Sequence, residues 1–204
     1  MKKLISLFLV IMMSVFAIAS VSAEANEYIL YTHPTVGYSL EYPSDWIALD
    51  TESVQELLTL FADDSSVEGL DLKSLAQQLT GTDMAMFIDM YGNNVNIIKQ
   101  AMGMPISASD FVTVLPMFMS QFEASYPGIT FFDEGTVYTA GANQYAKMAY
   151  GYDLGGFYTY GEQFYDCSTG DLYTITFTAA SGSSEADIQS VYPMIDHMLA
   201  TFNS

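Results

Sequence analysis

Few residues in this chain could do covalent chemistry: two histidines, His33 and His197, and one cysteine, Cys167. A thiol or hydroxyl nucleophile needs a base within hydrogen-bond reach, so these three residues bound what a Cys–His hydrolase could use. His33 precedes Pro34 at a turn, and His197 falls in a stretch with helical apolar spacing. No G-x-S-x-G elbow presents a serine. An unrecognised hydrolase is therefore the third-ranked function, and no catalytic residue is expected.

A second set of side chains could ligate a cation. Asp64, Ser66, Glu68 and Gly69 match positions 1, 3, 5 and 6 of an EF-hand-like loop, whose oxygens face calcium. Such a loop closes with a bidentate carboxylate, and Leu75 stands in that place. Asp133-Glu134 is a second acidic pair with too few ligands. The pairs Met84-x-Met86, Met102-x-Met104 and Met117-x-Met119 offer thioethers to Cu(I). Methionine also fills cores and forms pliable contact surfaces, and that use is expected here. Neither a metal site nor a cofactor is expected. The remaining candidates are aromatic and acidic: Tyr150, Tyr152, Tyr158 and Tyr160 with Asp153 and Glu162. Tyrosine gives broad contact area with a polar tip, so these six could form a binding surface if the sheet end is uncovered. Cross-strand packing is their other use.

Residues 1–23 read as a secretory signal peptide. Lys2 and Lys3 precede an apolar run, and Val21-Ser22-Ala23 gives a small-x-small cleavage pattern before Glu24. The apolar run is about 16 residues, short of the roughly 20 that span a bilayer. No cysteine lies near the cleavage point, so a lipoprotein is not expected. Residues 24–204 then form a single exported domain without stable membrane insertion. Losing Lys2 and Lys3 takes the formal net charge from −19 to −21, with Lys73, Lys99 and Lys147 the only cations left. Nucleic-acid binding requires clustered cations, so it is excluded. With 50% apolar residues, the chain is not of disordered type. One cysteine cannot form an internal disulfide, and burial is expected for it.

Apolar periodicity supplies the elements. Strands are expected at 28–32 and 37–42, and Tyr38, Leu40 and Tyr42 share the core face. Pro43 should end pairing, and Trp46, the single tryptophan, should be buried at the corner. Val54, Leu57, Leu58 and Phe61 form a helical stripe with Thr51 as its expected N-cap, followed by a shorter helix over 70–79. Segments 84–91 and 95–100 flank Gly92-Asn93-Asn94 as a hairpin. Phe111, Leu115, Phe118 and Phe122 mark one long helix opened by Ser107 or Ser109 and bent at Pro116. Four strands follow at 129–138, 143–153, 157–167 and 172–179, then a closing helix capped by Ser183 or Ser184. Its stripe is Ile188, Val191, Ile195, Met198, Leu199 and Phe202. Clustered strands with short turns imply an α+β fold with a mainly antiparallel sheet.

The stretch "GYSLEYPSDW", the meander "ANQYAKMAYGY…YGEQFYDCSTGDLYTITFTA" and the ending "IDHMLATFNS" resemble the PsbP-like superfamily. That group includes the extrinsic photosystem II protein, exported bacterial PsbP- or DcrB-like domains and a Ran-binding nuclear-import factor. The resemblance implies an αβα sandwich around an antiparallel sheet, with binding or assembly roles. It carries no shared catalytic motif. The leading expectation is an exported non-enzymatic binding or accessory domain acting through protein–protein contacts, with another exported or envelope protein as partner. An extracytoplasmic module for a small ligand or divalent cation is the alternative.

Overall fold

Strand alternation and short turns over the last third of the chain produce the sheet on which everything else rests. The computed structural model describes residues 27–61, 83–125, 128–133, 135–154, 157–180 and 182–204. Strands β1 (Tyr28–Thr32) and β2 (Ser39–Pro43) pair as an antiparallel hairpin of their own. The main sheet contains β3 (Ile47–Asp50), β4 (Met84–Ile88), β5 (Asn94–Ala101), β6 (Thr130–Phe131), β7 (Thr136–Ala140), β8 (Asn143–Leu154), β9 (Phe157–Asp166) and β10 (Asp171–Thr178). Its order is β3-β4-β5-β10-β9-β8-β6, with β7 also pairing β8, and each of these pairings is antiparallel. The helices are α1 (Thr51–Phe61), α2 (Ala108–Val112), α3 (Leu115–Ser125) and α4 (Glu185–Thr201). This is the α+β arrangement expected from the strand clustering.

Each sheet face has its own cover. On one face, Phe87, Ile97, Phe164, Ile175 and Phe177 pack against Val191, Ile195, Met198 and Leu199 of α4, together with Tyr38 and Leu40 of the hairpin. Ser184 caps α4 in a reciprocal box with Asp187, satisfying donors that the first helical turn leaves open. At the other end, Asn143 Nδ2 donates to the carbonyls of Leu199 and Phe202, at 3.0 and 2.8 Å, and Tyr145 Oη donates to Leu199 O at 2.7 Å. The hairpin joins the same layer through paired backbone bonds between Ser39 and Asn203. On the opposite face, Phe111, Leu115 and Phe122 of α2 and α3 pack on Ala146, Met148, Tyr150, Tyr165 and Leu172. Tyr150 lies across Gly161, where a Cβ would stand 2.6 Å from the ring; glycine is the residue that admits that close approach.

Several local expectations need correction. Asp50, not Thr51, caps α1: its Oδ1 accepts from Ser53 N at 2.9 Å. Thr51 Oγ1 instead bonds the backbone of Met84. Strand β3, which has no clear alternation, is set by pairing with β4. The helix expected through 107–125 is broken into α2 and α3. Pro116 has no N–H to return to Val112, and the chain crosses the gap with shorter-range bonds from Thr113 N to Asp110 O and Val114 N to Phe111 O. The strand expected over 129–138 splits into β6 and β7 at Gly135, whose φ is 101°. The helix expected over 70–79 and the calcium-like loop at Asp64, Ser66 and Glu68 lie outside the described residues.

Trp46 is 5% exposed and belongs to the α4-side core, as expected for a corner residue. Trp46→Ala should lower unfolding free energy by about 3–5 kcal/mol, the cost of a large-to-small core change. Denaturant melts followed by circular dichroism measure it, and an unchanged midpoint would show that Trp46 does not support the core.

Candidate binding cleft

The register of β5, β10 and β9 lays the floor of an open cleft. Ile98 stands opposite Thr174, which stands opposite Tyr165, and Gln100 faces Leu172 in the next row. Gln163 lies one row over. These six side chains point away from α4 and towards α2 and α3. The wall comes from Phe111, Val114, Met117, Phe118 and Phe122, and one end is formed by Ala101, Met102 and Ile106. The enclosed volume is about 650 Å3. On the α4 side the comparable void among the packed side chains is about 10 Å3, so the two cores differ sharply in closure.

The cleft is held open by a small set of contacts. Phe111 stacks on Tyr165 with centroids 5.1 Å apart, and Phe118 lies 5.6 Å from Phe111. This aromatic wedge props the wall against the sheet at one end. Gly170, with φ of 94°, turns the β9–β10 loop so that its carbonyl accepts from Met102 N and Gly103 N at 3.3 and 2.9 Å. Ile106 N donates to Cys167 O at 3.0 Å, and Ser107 then caps α2. The rim is apolar and exposed: Met102, Met104, Val114 and Met117 are 37%, 60%, 39% and 57% accessible. Among the described residues lining the cleft, none is charged; its polar groups are Gln100, Gln163, Thr174 and the Tyr165 hydroxyl. Tyr165 Oη donates to Gln163 Oε1, leaving the amide NH2 of Gln163 as the donor available to a guest.

The six residues expected to form a binding surface divide between the two faces. Tyr158, Tyr160, Asp153 and Glu162 point to the α4 side, while Tyr150 and Tyr152 point to the α2–α3 side. Tyr158 is half exposed and Tyr150 is buried. Glu162 is buried with Lys147: Nζ lies 2.6 Å from Oε1, and Tyr160 Oη donates to the same oxygen at 2.6 Å. Tyr192 Oη lies 3.0 Å from Tyr160 Oη. Burial first, then the neighbouring Glu162 carboxylate, hold both tyrosine hydroxyls far above their usual range. They stay protonated and tie α4 to the sheet. Tyr138 does the same by donating to Asp196.

The potential catalytic residues lie apart. Cys167 is in the α2–α3 core. His33 packs on Tyr38 of the α4 side, with ring centroids 4.9 Å apart. His197 lies 2.7 Å from Glu41 and stacks on Tyr28. The sheet therefore separates the thiol from both imidazole environments. Of the acidic pair, Asp133 serves the turn, accepting from Gly135 N at 3.2 Å; Glu134 lies outside the described residues. Met84 and Met86 are buried on β4. No metal-binding cluster of His, Cys, Asp or Glu occurs among the described residues, and no helix there is long and apolar enough to cross a membrane. Sequence reasoning missed Gln163, Thr174 and Val114 as site residues, whereas Met102 and Met117 of the cleft belong to the methionine pairs it noted as core or contact-surface residues.

No family model matches the chain, and no curated protein matches it in sequence. Solved structures do match. The solution structure of cyanobacterial PsbP, CyanoP, from Synechocystis sp. PCC 6803 is 17% identical with a TM-score of 0.50, covering 92% of this chain and 97% of that one. PA94 from Pseudomonas aeruginosa is 11% identical with a TM-score of 0.44, covering 88% and 98%. LpqN of Mycobacterium tuberculosis, described as involved in cell envelope biogenesis, is 10% identical with a TM-score of 0.40, covering 87% and 90%.

Burial, with Asp166 adding to it, pushes the Cys167 thiol up to about 12. Thiolate is the reactive form, so native protein at pH 8 should react with a disulfide reagent such as DTNB at least about a hundredfold more slowly than denatured protein. Equal rates would show that the thiol is accessible and the α2–α3 core open to solvent.

Proposed function

Starting from the PsbP-like fold that the chain shares with the cyanobacterial protein, we propose an exported, non-catalytic binding domain that works through the α2–α3 cleft. The observation that carries this function is the cleft itself, about 650 Å3 in volume and within the roughly 300–1,000 Å3 usual for pockets that enclose small organic ligands. Its walls are Phe, Met, Val and Leu or Ile side chains, and its polar groups are amides and hydroxyls that orient a guest without supplying acid or base. Unbranched methionines at the mouth let the wall adapt to a guest's shape. Export rests on the signal-like segment 1–23, and an accessory role fits a domain that binds without transforming what it holds. Of the two binding functions expected from the sequence, the enclosed volume favours the small ligand.

A protein partner is the second possibility, and the exposed rim of Met102, Met104, Val114 and Met117 is what favours it. The two separate in a titration with Nile red, a neutral apolar dye whose emission rises out of water. The protein should bind the dye saturably, one per chain. Val114→Asp puts a carboxylate at the mouth and should weaken binding at least about tenfold, because a charge buried beside an apolar guest is unpaired. Val137→Asp on β7 is an equally exposed control that should change nothing. Absence of saturable binding by folded protein would refute the small-ligand site and leave the rim as a protein contact.

A further inference from the structure

Beside the floor of the cleft, just outside its lining, lie buried polar groups that the protein's own contacts do not use. Gln163 lines the cleft and is 2% exposed. Its register partner on β10 is Thr176, whose side chain points to the same face. Thr176 is 1% exposed, and its Oγ1 has no hydrogen-bond partner. Two residues along, Thr178 Oγ1 is also buried without a partner. A desolvated hydroxyl left unpaired is costly, and proteins rarely retain one without cause. Here the unpaired hydroxyl of Thr176 sits beside the engaged amide of Gln163, next to an apolar cavity large enough for a guest.

Taking the cleft as the binding site, we infer that its ligand is an uncharged amphiphile with an apolar chain or ring body and one hydroxyl or carbonyl end. The body lies between Phe111, Phe118 and Met117, and the polar end meets Gln163 on the floor and passes beyond the lining to its register neighbour Thr176. The chemistry follows from what the lining lacks and what it offers. No charged side chain lines the cleft among the described residues, so a carboxylate or ammonium would be buried without a counter-ion. The chain's net charge of −19 further disfavours an anion. A hydroxyl or carbonyl oxygen, in contrast, accepts from the Gln163 NH2 and from Thr176, whose hydroxyl can both donate and accept.

The test uses Nile red bound to the full protein and three competitors of equal chain length: 1-decanol, decanoate and decylammonium. Decanol should displace the dye at concentrations at least about tenfold lower than either ion. Decanol affinity is then measured by calorimetry on Thr176→Val, which keeps the side-chain shape and removes the unpaired hydroxyl. The variant should melt no lower than the parent, because an unsatisfied buried group is gone, yet bind decanol roughly three- to tenfold more weakly, the worth of one hydrogen bond. Gln163→Met should weaken decanol similarly and serves if Thr176→Val misfolds. Equal or better displacement by decanoate or decylammonium would overturn the ligand class, as would undiminished decanol affinity in both variants, while dye binding still upheld the cleft. Failure of Nile red itself to bind would remove the site and the ligand together.

Discussion

A sheet with apolar side chains on both faces must be covered twice, because neither face can be left in water. Every other feature of this protein depends on how those two covers are made. On one side, α4, which continues through Pro193, and the short β1–β2 hairpin are tied to the sheet and to each other by hydrogen bonds at their ends. Asn143 and Tyr145 take the last carbonyls of α4, and buried Glu162, held by Tyr160 and the partly exposed Lys147, fixes the sheet beneath it. Such a polar group tolerates no slippage, since moving any member would strand a charge away from water. The face closes to near-complete packing.

The other face is covered by a helix that cannot stay whole. α2 ends at Val112 and α3 begins at Leu115, with Pro116 in the first turn of α3, where its missing N–H leaves no bond back to α2. The two short pieces meet the sheet through Phe111, Leu115 and Phe122, and Val114 and Met117 are left facing outward at the break. The cleft is thus what remains when an interrupted helix covers a flat surface. Its apolar walls come from the helix stripe, and its polar floor comes from alternate residues of β5, β9 and β10. Among the described residues no charge lines the cleft, so under the proposed binding role shape, apolar area and a few neutral hydrogen bonds would select the guest.

The fold was largely legible in the sequence, because β10 alternates strictly, β8 and β9 are aromatic-rich runs bounded by short Gly-containing turns, and α4 has a continuous apolar stripe and a strong cap. Elements whose existence depends on partners far along the chain were not. Strand β3 has an exposed Ile47 and no alternating pattern; its pairing with β4 across more than thirty positions makes it a strand. The Tyr and acidic set illustrates the same limit at the site. Alternation correctly pairs Tyr150 with Tyr152 and Tyr158 with Tyr160 within each strand. Which pairs share a face depends on inter-strand register, and Tyr150 stands opposite Gly161 while Tyr160 stands opposite Gly151. A one-residue offset therefore puts the two pairs on opposite faces. The cleft was beyond reach for a related reason: a cavity is a gap between elements, and no residue pattern encodes its width.

One face of this sheet closes to near-complete packing, and the other leaves a cleft that the proposed function fills with a ligand. Methionines lie on both faces, so methyl-13C methionine NMR during titration with 1-decanol tests it directly. The signals of Met102 and Met117 should shift saturably, while those of Met194 and Met198, packed under α4, stay fixed. Shifts at Met194 and Met198 with none at Met102 and Met117 would contradict the account.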